Sequence, residues 1–208
     1  MILLKKDQVK TMTSDERVAG LHAAILSVYE NKIPGDFVEC GVYLGGNVII
    51  AKKFFDSVND FTRNFYAFDT FDGMVEPSQH DPSKAHSTWN NVAACKASVD
   101  EVQKEFLVHH ILDDRVKFIQ GDVNQTLLDT INIPSKISIL RLDTDWYEST
   151  KLELEVLYKN LVSGGFLIID DYGHWSGCQK AVDEFFGLHF VENNFTKLDY
   201  TGIMFQKL

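Results

Sequence analysis

A chain of 208 residues with 45% hydrophobic and 24% charged content has ordinary globular composition and is long enough for one well-buried core. Its formal net charge of −10, with no run of Lys and Arg, excludes a surface built for nucleic acid or an anionic membrane. The apolar runs are strand-sized, far short of the ~20 residues that span a bilayer, and MILLKKDQVK is too short an apolar stretch for a secretory signal. Cys40, Cys95 and Cys178 are widely spaced with no C-x-x-C pair. That argues against a thiolate zinc knuckle and fits semi-buried thiols in a reducing, cytoplasmic setting.

In chain order, Thr13-Ser-Asp-Glu16 reads as a capping box, with Val18, Leu21, Ile25 and Val28 at helical spacing behind it. Pro34-Gly35 closes this N-terminal helical segment, residues 1–33. DFVEC (36–40) is a strand, followed by a turn containing Gly41, Tyr43, Gly45 and Asn47 and a helix over 48–58. NFYAFD (64–69) is a second strand. The irregular stretch that follows is expected to place a lid or acceptor loop at residues 72–93. A helix over 94–112 leads to the third strand, VKFIQG (116–121), and Asp122, then a short helix over 124–130. The fourth strand is 137–142 and a helix follows over 148–161. Gly164-Gly165 turns into the fifth strand, 166–169, followed by the helix Ser176–Phe186. The tail, FTKLDYTGIMFQKL, reads as two strands joined near residues 200–202. Alternating strands and helices give an α/β fold in a single domain over 1–208: a Rossmann-like open sheet, mostly parallel, helices on both faces, with an antiparallel C-terminal edge pair.

Two apolar runs end in paired acids: ISILRLDTDWYE at Asp143 and Asp145, and GGFLIIDD at Asp170-Asp171. Four carboxylates at neighbouring strand ends repel one another unless a cation sits among them. In a 3-2-1-4-5 sheet the fourth and fifth strands adjoin, so Asp143, Asp170 and Asp171 converge on a site for Mg²⁺ or another hard divalent cation. Asp145, two residues on, is either a further ligand or a general base. The turn from Glu39 to Gly45 carries Tyr43 where a dinucleotide fingerprint needs its middle glycine. That suits a cofactor without pyrophosphate, such as S-adenosylmethionine, with Glu39 taking its ammonium; the turn alone is equally a tight strand-to-helix connection. Asp69 is placed for ribose hydroxyls and Asp122 for an adenine amino group, and helix N-capping suits both as well.

FVECGVYLGG, FYAFDTFDGM, QGDVNQTL, LRLDTDWYEST and GGFLIIDDYGHWSGCQKAVDEF together resemble the macrocin O-methyltransferase family, metal- and S-adenosylmethionine-dependent enzymes that methylate sugar hydroxyls. The resemblance implies a class I S-adenosylmethionine-dependent methyltransferase fold. It also implies Asp143, Asp170 and Asp171 as metal ligands and Asp145 as general base. Glu39, Gly41, Tyr43, Asp69 and Asp122 fall at its cofactor-contacting places, with Gly45, Thr70 and Phe71 beside them. Asn47 stands where a small hydroxyl residue is common near the methionine carboxylate. A small-molecule hydroxyl acceptor and a homodimer are further expectations by resemblance. Phe71, Trp89, Trp146 and Trp175 are candidates to cover the site or for plain packing, and His174 for acceptor contact, proton relay or a solvated capping role. Two rivals remain: a glycosyltransferase using Asp143-Thr-Asp145 as a D-x-D motif, and a catalytically silent S-adenosylmethionine-binding protein.

Overall fold

The computed structural model describes residues 1–89 and 95–208. Helix α1 spans Asp15–Glu30. Its N-cap is Ser14, which accepts from the Arg17 backbone N–H, and not Thr13 as the capping box suggested. Thr13 is instead turned inward, 3% exposed, where its hydroxyl accepts bonds from Asn47 and Arg141. Strand β1 (Asp36–Cys40), helix α2 (Gly46–Ser57) and strand β2 (Phe65–Asp69) follow.

The expected loop is more ordered than its composition suggested, because α3 (Ser83–Trp89) folds within it. Residues 90–93 of that loop, and residue 94 at the start of the expected 94–112 helix, lie outside the described residues. The helix observed there is the shorter α4 (Val99–Val108), started by a capping box between Ser98 and Glu101. Strand β3 (Val116–Gln120), the short helix α5 (Val123–Thr126), strand β4 (Ile137–Leu142) and helix α6 (Tyr147–Leu157) come next. Strand β5 begins at Leu161 and runs to Ile169, so Gly164-Gly165 lies within it instead of turning into it. A Cβ on Gly165 would stand 2.9 Å from the Ser138 carbonyl oxygen, so only glycine lets β5 approach β4 this closely. Helix α7 (Ser176–Phe186) breaks at Gly187 (φ 82°) and restarts as α8 (Leu188–Asn194), an element the sequence did not announce. Strands β6 (Thr196–Lys197) and β7 (Ile203–Gln206) end the chain.

The sheet order is β3-β2-β1-β4-β5-β7-β6. The first five strands are parallel, and β7 pairs antiparallel with both β5 and β6, as expected for this open α/β class. Strand residues alternate between two cores. Phe37, Ile139 and Phe166 pack with α1, α2 and α4 on one face. Val38, Leu140 and Leu167 pack with α5, α6, α7 and α8 on the other. All six residues of β4 are buried, as a central strand requires. Strand order reverses between β1 and β4, and ligands of open α/β sheets bind at such a crevice, outside the carboxyl ends of the strands. Among the described residues no helix is long and apolar enough to cross a membrane.

Candidate active site

A cavity of about 270 Å³ opens at that crevice, walled by the turn after β1, the ends of β2 to β5, residues 11–13 and 17, and Tyr200-Thr201. Gly41 adopts φ 78°, and a Cβ there would overlap the carbonyl oxygen of Asp143. Tyr43 is also left-handed (φ 50°), a conformation that costs a non-glycine residue energy and needs support. Asp69 supplies it. Its Oδ2 accepts from the Val42 and Tyr43 N–H groups at 2.8 and 3.1 Å, and its Oδ1 accepts from Phe71 N at 2.9 Å. Asp69 thus clamps the turn while still facing the cavity. Thr70 also lies on the wall and donates to the Gly73 carbonyl.

Four expected cofactor positions differ in detail. Gly45 (φ 78°) is the α2 N-cap, where a Cβ would stand 2.7 Å from the Phe106 ring, so helix packing dictates its identity. Phe71 is 3% exposed and packs edge-on against Phe118; it is core and not a cover. Asp122 caps α5 through Asn124 N (2.9 Å) and contributes to the cavity wall as well. Glu39 lies just behind the wall, 1% exposed. Its Oε1 accepts from Asn47 Nδ2 (3.0 Å) and Arg141 Nη1 (2.6 Å), and among the described residues its Oε2 and Asn47 Oδ1 are buried without partners.

The acids at the ends of β4 and β5 are divided in a way the sequence reading did not foresee. Asp143, Asp145 and Asp171 each place one oxygen within 4.8 Å of the others. Asp170 stands apart: its two oxygens accept from Arg17 and Arg141. The guanidinium groups of Arg17 and Arg141 thus already offset part of the charge at Asp170 and Asp143. Arg141 was missed because it occupies one position of a strand that otherwise reads as apolar, and Arg17 because it reads as a solvated helix residue.

Burial and the neighbouring charges of Asp145, Asp143 and Asp170 push Asp171 well above the ordinary carboxylate range. Burial first, then Asp143, raises Asp145 to about 7, against hydrogen bonds to Asp171 and Trp175. Burial raises Asp170 to about 8 despite its arginines. Carboxylates buried this close together repel one another. Asp171 Oδ2 is buried and, among the described residues, has no partner. An all-oxygen set with an orphaned acceptor fits a hard divalent cation.

The aromatic residues divide as well. Trp146 (2% exposed) donates from its indole N–H to the Val75 carbonyl, and Trp89 donates to Met74, so both brace the loop that walls the cavity. Trp175 packs edge-on against Trp146 and bonds Asp145. His174 lies on the wall, hydrogen-bonded to the Tyr200 hydroxyl at 3.1 Å. Behind the Asp143–Asp145 turn sits a group the sequence did not flag: Glu153, 0% exposed, whose oxygens face Thr144 Oγ1 at 3.0 and 3.1 Å.

Residues 6–207 match the family described as Macrocin-O-methyltransferase (TylF). The chain is 30% identical over 198 residues to an 8-demethyl-8-(2,3-dimethoxy-alpha-L-rhamnosyl)-tetracenomycin-C 4'-O-methyltransferase of Streptomyces olivaceus, covering 94% of this chain and 75% of that one. It is 30% identical over 205 residues to a demethyldecarbamoylnovobiocin O-methyltransferase of Streptomyces niveus, covering 95% and 75%. The solved structure of the O-methyltransferase NovP superposes with a TM-score of 0.86 at 29% identity, covering 95% of this chain and 81% of that one. These matches set aside both rivals, the D-x-D glycosyltransferase and the silent binding protein.

Proposed function

The chain belongs to the macrocin O-methyltransferase family, and from that premise we propose that it methylates a hydroxyl of a sugar or other vicinal-diol natural product. In this reading S-adenosylmethionine is the donor and Mg²⁺, or a similar hard divalent cation, assists. The observation that carries the reading is one cavity in which the turn after β1 faces Asp143, Asp145 and Asp171. The Streptomyces olivaceus relative, an O-methyltransferase whose name specifies a rhamnosyl-bearing natural product, supports the acceptor class.

Asp143 and Asp171 would hold the cation, with Asp170 beside them. Gly41, Tyr43 and Asn47, with Asp69 bracing the turn, would hold the donor, and Glu39 would meet its ammonium from behind the wall. When bound, the donor supplies an activated methyl group, and the cation lowers the pKa of a coordinated hydroxyl and fixes its position. The protein does the rest. Asp145, on the cavity wall and tethered by Trp175, accepts the hydroxyl proton on a carboxylate oxygen. Met74 and Val75 add apolar surface to the cavity wall and would limit the access of water. Holding both reactants in one rigid crevice accounts for much of the acceleration.

The test is a methyl-transfer assay with S-adenosylmethionine across vicinal-diol sugars and catechols, with and without EDTA. Turnover that requires a divalent cation is expected. Transfer unaffected by EDTA defeats the metal half of the proposal, and no transfer to any diol defeats the acceptor half.

A further inference from the structure

Arg141 is 1% exposed, one position before the end of β4, and the sheet register sets it beside Glu39 of β1. Its Nη1 donates to Glu39 Oε1 and Asp143 Oδ2, each at 2.6 Å. Its Nη2 donates to Thr13 Oγ1 at 3.0 Å and to Asp170 Oδ1. One guanidinium therefore ties together three strand ends and the segment ahead of α1. Its partners fall into two sets. Glu39 and Thr13, both bonded to Asn47, lie by the turn after β1; Asp143 and Asp170 lie at the ends of β4 and β5. Asp143 belongs to two groupings, since it accepts from Arg141 and also stands within the trio with Asp145 and Asp171.

A planar fork with permanent charge fixes several acceptors in set directions, which a lysine ammonium cannot reproduce. We propose that Arg141 is the positioning residue that joins the donor half of the site to its cation half. It holds Glu39, Asp143 and Asp170 in one frame, so the oxygens that take the cation and the groups that take the donor are set before either arrives. This rests on the proposed function. It goes further by making one residue, which touches neither ligand, responsible for the readiness of both subsites.

The experiment compares wild type with Arg141→Lys. Mn²⁺ binding is followed by electron paramagnetic resonance, S-adenosylhomocysteine binding by calorimetry, and folding by circular dichroism and the unfolding temperature. Arg141→Lys is expected to fold normally while both affinities weaken by roughly tenfold or more, the range seen when the support behind a ligand is removed. Asp171→Asn should weaken Mn²⁺ alone. Wild-type affinity for either ligand in Arg141→Lys overturns the inference. Should Arg141→Lys not fold, Glu39→Gln decides: Glu39 is outside the trio, and Arg141 carries its influence there, so a several-fold loss of Mn²⁺ affinity is expected and an unchanged value overturns it. A wild-type protein that takes up no Mn²⁺ defeats the proposed function and this inference with it. A wild type that binds Mn²⁺ beside an indifferent Arg141→Lys defeats this inference alone.

Discussion

The carbonyl oxygen of Asp143 fills the space that a side chain on Gly41 would occupy, so the turn after β1 and the end of β4 interlock. A backbone bond from Asp143 N to the Cys40 carbonyl (2.9 Å) secures the same junction. Gly41→Ala meets a left-handed backbone and a steric overlap together. A loss of stability of more than about 2 kcal/mol is expected, measured by urea unfolding, with weaker S-adenosylhomocysteine binding in the fraction that folds.

Asp145 holds a left-handed backbone (φ 66°) between Thr144 and Trp146, and its carboxyl lies on the cavity wall within 4.8 Å of those of Asp143 and Asp171. Asp145→Asn keeps that shape and removes the base. Turnover is expected to fall by about 10²–10⁴-fold in single-turnover methyl transfer, with S-adenosylhomocysteine affinity unchanged. Full activity in this variant would end the assignment of Asp145 as base.

Asp81 is 8% exposed and joins the loop to α6. Its Oδ1 accepts from Tyr147 N at 2.9 Å, and its Oδ2 accepts from Ser78 N at 2.8 Å. It thereby serves as a remote cap, because Trp146 at the N-cap position offers no side-chain bond. Asp81→Ala leaves the Tyr147 N–H unpaired and is expected to cost about 1–2 kcal/mol. Since Met74 and Val75 ride on this loop, KM for the acceptor should rise more than KM for the donor in steady-state kinetics.

Glu153 is fully buried, and burial foremost raises its pKa to about 8 from an ordinary 4.5. Below pH 4.5 the carboxyl is protonated whether the chain is folded or not, so it has no effect on the pH slope there. Between 4.5 and about 8 the unfolded chain releases a proton that the folded one retains, and stability falls as pH rises. Glu153→Gln removes this dependence. In unfolding temperatures taken from pH 5 to pH 8, the decline should be shallower in Glu153→Gln than in wild type. Equal slopes would mean that Glu153 is ionised in the folded protein.

Much of the fold was legible because β4 and β5 are apolar until they meet their acids, and period and punctuation mark such strands clearly. Asp143, Asp145 and Asp171 were legible for the same reason, since charge at the end of an apolar run has no place in a core. The groups between them were not. Arg141 and Glu153 are buried ionisable side chains inside elements whose pattern reports only which face is apolar. Thr13 fits a cap as well as it fits a buried acceptor, and only tertiary packing decides between the two. The break at Gly187 that creates α8 was equally hidden, because a glycine after a helix signals an end and not a restart.

The bond from the Ser14 hydroxyl to Asp199 spans 185 positions, and the Arg17–Asp199 ion pair spans 182. Thr11 and Met12 from one end of the chain, and Tyr200 and Thr201 from the other, therefore border the same cavity. Contacts this distant in sequence need both segments present before they can form, and their closure entropy is offset only once they do. On the ribosome, β1 through β5 emerge before the residues that complete the rim. Ligand-binding competence thus waits on Asp199 and its neighbours, and a chain arrested short of Asp199 would present the acids without the part of the enclosure that Tyr200 and Thr201 supply.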